Sequence, residues 1–129
     1  MIFMAKLSTT EKLLLYVLSL FKKGVDETSF EKFLAKLKEK GAISNEIDLI
    51  SIDGTYAMGP KTLNAIKKLL DRGLIAYGYV TANYITPFTK ILVISKRGKM
   101  YLKKIEDTIS EDKKKNINAV YEELYEKTS

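Results

Sequence analysis

Three stretches of helical periodicity, each running up to a glycine, constrain this chain more than any other feature. Ser8-Thr9-Thr10-Glu11 has the spacing of a capping box, and Leu13, Leu14, Val17, Leu18 and Phe21 recur at helical intervals until Gly24. A first helix is predicted over residues 9–23. Thr28-Ser29-Phe30-Glu31 repeats the cap, and Phe30, Phe33, Leu34 and Leu37 line one face of a second helix ending at Gly41. Gly59-Pro60 opens a third over about residues 60–72, because proline at the first helical position gives up only an N–H that has no intrahelical partner. Its apolar face is read as Leu63, Ile66, Leu69 and Leu70, up to Gly73. Between the second and third helices, Ile47, Leu49, Ile50 and Ile52 alternate with Asp48, Ser51 and Asp53. That pattern predicts an extended, half-buried connection closed by the turn pair Asp53-Gly54.

The pattern changes after Gly73. Leu74 to Tyr84 is rich in Tyr, Val and Thr, Pro87 breaks the run, and Lys90 to Ile94 is a compact β-branched strand. An antiparallel hairpin with a loop around Asn83 to Phe88 is predicted. Ser95 can cap a fourth helix carrying Met100, Tyr101, Leu102 and Ile105. A fifth, after Ser110, places Ile117, Val120, Tyr121 and Leu124 on one stripe. The expected class is α+β, mostly helical, with a domain over residues 1–109 and a C-terminal helix over 110–129. That stripe is expected either to pair two copies into a homodimer or to fold back on its own domain, with pairing preferred.

Charge is unevenly divided. The net of +6 arises from residues 56–104, where ten Lys or Arg face Asp71 alone, while residues 1–55 balance and residues 105–129 carry an acidic excess. Such a block suits a polyanionic partner. The chain contains no Cys, His, Trp or Gln, so disulfides, thiolate or imidazole catalysis and Cys/His zinc sites are excluded. No enzyme activity, cofactor or metal is expected. No apolar run reaches membrane-spanning length and the first residues lack the regions of a signal peptide, so a cytoplasmic protein without membrane contact is expected.

Three helices followed by a two-stranded hairpin is the winged helix-turn-helix order, in which the third helix enters the major groove of DNA. Around that helix the reading sets Lys61, Asn64, Lys68 and Arg72 on the exposed side, with Ala65 beside them. Cations there can neutralise phosphates or donate to guanine, and an Asn amide can pair with adenine. The hairpin adds Tyr77, Tyr79, Tyr84 and Lys90, and the fourth helix begins with Lys96, Arg97 and Lys99. At least half of the hairpin tyrosines are expected to serve packing or cross-strand pairing instead.

Gly59-Pro60, the helix end Leu69-Leu70-Asp71-Arg72-Gly73-Leu74-Ile75, the strand Ile91-Leu92-Val93-Ile94 and Ser95-Lys96-Arg97-Gly98 resemble the MarR-like and PadR-like winged-helix transcription regulators, archaeal relatives included. The resemblance covers about residues 56–105. It departs where Tyr56 stands apart from Gly59 and where Ile94-Ser95 replaces a Leu-Thr pair. It implies double-stranded DNA as partner, with the third helix in the major groove and the hairpin wing on the backbone. The competing reading is a winged-helix adaptor that binds another protein.

Other signals are weaker. Gly54 to Thr62 approximates a phosphate-binding loop, but Pro60 displaces the lysine and removes an N–H from the cradle. The pairs Glu106/Asp107, Glu111/Asp112 and Glu122/Glu123 diverge by about 100° on a helix. Asp48 and Asp53 are too few for a metal site.

Overall fold

The computed structural model describes residues 6–80 and 88–126. Helix α1 (Thr9–Leu20) starts at the expected capping box, in which Ser8 and Glu11 each accept the other's backbone N–H. It stops three residues short of the predicted end. Helix α2 (Glu27–Glu39) is capped by Asp26, whose carboxylate accepts from the Ser29 N–H at 3.0 Å. The cap expected at Thr28 is thereby moved upstream, and Glu31 is released to accept the Met58 N–H at 2.8 Å.

The connection between α2 and the third helix folds further than predicted. Strands β1 (Leu49–Ile52) and β2 (Thr55–Met58) form an antiparallel hairpin. Asp53 and Gly54 both take positive φ at its turn, the conformation that suits a two-residue connection. Helix α3 (Pro60–Asp71) follows, with proline in its first turn as expected.

Strands β3 (Ile75–Val80) and β4 (Thr89–Ile94) pair antiparallel from Ile75↔Ile94 to Val80↔Thr89. This is the predicted hairpin. Its other edge is held by Val25, which exchanges both backbone hydrogen bonds with Leu92 at 2.9 and 2.8 Å. The α1–α2 linker is thus a third, one-residue strand beside β4.

Helix α4 (Lys96–Ile105), a 3-10 turn (Glu106–Thr108), helix α5 (Glu111–Tyr121) and a π turn (Glu122–Glu126) complete the described chain. No helix among the described residues is long and apolar enough to cross a membrane.

The core is built around α1, which packs against α3, α4, β4 and α5 and buries Leu13 to Leu18 without interruption. Phe30, Phe33, Leu34 and Leu37 enter from α2, Ile66 and Leu69 from α3, Leu74, Ile75, Leu92 and Ile94 from the hairpin, and Leu102 from α4.

The C-terminal stripe closes this core. Ile117 and Val120 are buried in it. Tyr121 and Tyr125 meet Phe21 and Phe33 ring to ring, with centroids 5.2–5.9 Å apart. Tyr16 donates a hydrogen bond to Asn118 Oδ1 at 2.7 Å, and Lys113 pairs with Glu46. The expected pairing stripe of Ile117, Val120, Tyr121 and Leu124 is therefore corrected: its first three members serve the chain's own core and only Leu124 is exposed. An amphipathic helix buries its apolar face wherever one is offered, and here the groove between α1 and α2 offers it.

Candidate nucleic-acid interface

The orientation of α3 is set from outside the helix. Gly59, at its N-cap, has no side chain to satisfy the first N–H groups. Asp48 supplies what is missing: its carboxylate accepts from the Lys61 N–H at 3.2 Å, and its carbonyl accepts from the Gly59 N–H at 2.8 Å and the Thr62 hydroxyl at 2.7 Å. A Cβ on residue 59 would fall on the Asp48 carboxylate, so the glycine is required by the cap it cannot itself provide. The same carboxylate occupies the anion seat of this helix end, which disposes of the phosphate-loop resemblance.

Thr62 is buried through this bond, and the helix is rotated accordingly. Its inner side is Thr62, Ala65, Ile66 and Leu69. Leu63, expected inside, is 51% exposed, Leu70 is half-buried, and Ala65, expected beside the basic face, is buried. At 3.6 residues per turn the side opposite the core carries Asn64, Lys67 and Asp71, with Lys61 and Lys68 along one flank and Leu63 along the other. Lys67 was missed by the sequence reading because the wheel was centred on Leu63 instead of Thr62.

Arg72 departs from that reading too. It is half-buried, with its guanidinium over the Tyr101 ring at 5.5 Å from the centroid, and one of its terminal nitrogens is buried with no hydrogen-bond partner among the described residues. The side chain braces the end of α3 against α4.

The motifs at the two ends of the hairpin touch each other. Ser95 donates its hydroxyl to the Gly73 carbonyl at 2.6 Å and its N–H to the Leu74 carbonyl at 3.0 Å, while its Oγ accepts from the Gly98 N–H at 2.9 Å. A Cβ on Gly98 would land on the Leu74 carbonyl oxygen. Gly73-Leu74 and Ser95 to Gly98 are therefore one joint, which couples the end of α3 to the start of α4.

From this joint the basic groups spread outward. Lys96, Arg97 and Lys99 are exposed, as are Lys103 and Lys104, and Met100 stands among them on the outer side of α4. On the hairpin, Lys90 sits over the Tyr77 ring at 3.8 Å from the centroid, and the Tyr77 hydroxyl donates to Glu27 at 3.2 Å. Burial, then the Glu27 carboxylate, raises the Tyr77 hydroxyl above its ordinary value of 10.0, so it remains a donor at neutral pH. Tyr79 lies opposite Lys90 and is exposed. Tyr84 lies outside the described residues. Among the described residues no three potential metal ligands cluster.

The chain matches no family model, and it matches no curated protein. Two solved structures are similar to it over most of its length. One is a PadR-like transcription factor from Bacteroides fragilis, 19% identical, covering 88% of this chain and 91% of that one with a TM-score of 0.44. The other is a conserved protein of unknown function described as a potential transcriptional factor, 23% identical, covering 92% and 88% with a TM-score of 0.46.

Proposed function

We propose that this chain is a winged helix-turn-helix protein that binds double-stranded DNA, with α3 in the major groove and the β3–β4 hairpin as a wing along the backbone. One observation carries the reading: the outer side of α3 presents Lys61, Asn64, Lys67 and Lys68, and the adjoining joint continues this surface into Lys96, Arg97 and Lys99. Between residues 56 and 104 the only carboxylate is Asp71. Phosphates are met by the lysines and Arg97, and the exposed amide of Asn64 offers the donor and acceptor that a base edge takes. Leu63 offers the apolar contact that a thymine methyl takes. Lys90 serves the wing. A role as a transcriptional regulator follows from the resemblance of the 56–105 segment. Pairing of two copies on two half-sites falls to Leu124, the exposed member of the C-terminal stripe, with the part of Tyr125 that its contacts with Phe21 and Phe33 leave exposed.

Fluorescence anisotropy on random-sequence duplex at two salt concentrations tests the proposal. Affinity falls steeply with salt, and reversing Lys67 and Lys68 to Glu together weakens binding to every duplex. Asn64→Ala mainly relaxes sequence preference. A folded double reversal with unchanged affinity refutes the assignment. Protein docking is the second reading, favoured by the exposed Ile50 and Ile52 on the β1–β2 hairpin, and salt-insensitive capture of a protein with no duplex binding would establish it.

A further inference from the structure

Helix α3 is held in a rotation that its own apolar side chains do not favour. Thr62 is buried while its neighbour Leu63 is 51% exposed, and Leu70 stays half-buried. At 3.6 residues per turn, the inner side formed by Thr62, Ala65, Ile66 and Leu69 and the more apolar one formed by Leu63, Ile66, Leu69 and Leu70 are centred about 60° apart. What opposes the apolar choice lies at one end of the helix: the Thr62 hydroxyl donates to the Asp48 carbonyl, and the Asp48 carboxylate accepts from the Lys61 N–H. One buried hydrogen bond and one helix cap are comparable in size with the further burial of two partly exposed leucines. The rotation also carries two electrostatic costs. Asp71, the only carboxylate between residues 56 and 104, stands at the middle of the outward side. Arg72 is turned away over Tyr101, with one terminal nitrogen buried and without a hydrogen-bond partner among the described residues. One turn of the helix about its axis, by about 60°, relieves both costs, since it moves Asp71 toward an edge and brings Lys61, Asn64, Lys68 and Arg72 to the outward side.

Resting on the DNA-binding reading above, we infer that Asp48 and Thr62 latch α3 in a resting rotation, and that duplex DNA draws the helix about its axis into the more cationic one. A ligand that binds one of two conformations better shifts the population toward it, and phosphates bind better where Asp71 has left the middle of the face and Arg72 has joined it. Leu63 then exchanges its surface contact for the core. Gly59 and Gly73, which bound the helix, absorb the backbone change.

Anisotropy of random-sequence duplex with the full chain tests the latch. Lys61→Gln is expected to weaken binding several-fold and Lys67→Gln hardly at all, because the turn carries Lys61 toward the middle of the DNA-facing side and Lys67 to its edge. Thr62→Ala opens the latch and raises affinity several-fold, up to the inverse of the fraction already turned, whereas a purely structural role for this bond would lower it. The chain contains no cysteine, so Ala65→Cys places a single thiol on the buried side of α3. Its reaction with a maleimide is several-fold faster once duplex is bound, where shielding by DNA alone would slow it. Equal or reversed losses for the two lysines, an unchanged or lowered affinity in folded Thr62→Ala, or a thiol that stays protected in the complex overturns the latch and leaves DNA binding intact. A folded chain that binds no duplex at low salt overturns both.

Discussion

Gly98 shows how strictly a single position can be determined. An added methyl there meets a backbone oxygen, which cannot move without breaking its bond to the Ser95 N–H. Gly98→Ala is therefore expected to cost about 3 kcal/mol, at the upper end of ordinary overpacking, as measured by urea unfolding. Asp26 is determined by charge. Burial alone would raise its carboxyl, but the hydrogen bonds from Ser29 outweigh this and hold it below the ordinary value of 3.8. A depressed folded-state value means that the stabilisation is complete above the unfolded value and is lost as pH falls through the folded one. Asp26→Ala should cost about 1 kcal/mol near neutral pH. The gap from the unaltered chain should close in acid below the ordinary value of 3.8, and a gap independent of pH would show that the cap does not depend on the ionised carboxylate.

The elements differ in how far they can be read from sequence. Helix starts were legible where a polar side chain and an apolar period coincide, as at Ser8, Ser95 and Ser110. The β1–β2 hairpin was only half legible: Asp53-Gly54 announced the turn, but four-residue strands are too short for alternation to separate them from a loop. The face of α3 was misread because Thr62 is buried by a hydrogen bond to residue 48, a partner that no local pattern names. Two substitutions check the corrected face. Ile66→Ala should cost about 2–5 kcal/mol, and Leu63→Ala less than about 0.5 kcal/mol. The stripe on α5 was visible, but a stripe does not say what covers it. Ile117→Ala should cost about 3 kcal/mol without altering the mass in sedimentation equilibrium, and dissociation of a dimer by this substitution would reverse the assignment.

For the whole molecule, the uneven division of charge becomes a division of labour. The acidic C-terminal segment faces Lys40 and pairs partly within the fold, through Glu123 to Lys40 and Glu111 to Lys114, while the cations of α3 and α4 remain on the outside. Replacing Lys96 and Lys99 with Gln should reduce the slope of log affinity against log salt by about 2, at roughly 0.9 per phosphate contact, without changing the unfolding midpoint appreciably. The Val25–Leu92 bridge has a consequence of a different kind. The β3–β4 hairpin can zip from its own neighbours, whereas Val25 meets Leu92 only after more than half the chain has closed into a loop. The hairpin therefore acquires its shape early and its attitude late. During refolding, the Val25 and Leu92 amides should gain protection from hydrogen exchange after the β3–β4 ladder, so that the last event of assembly is the aiming of the hairpin.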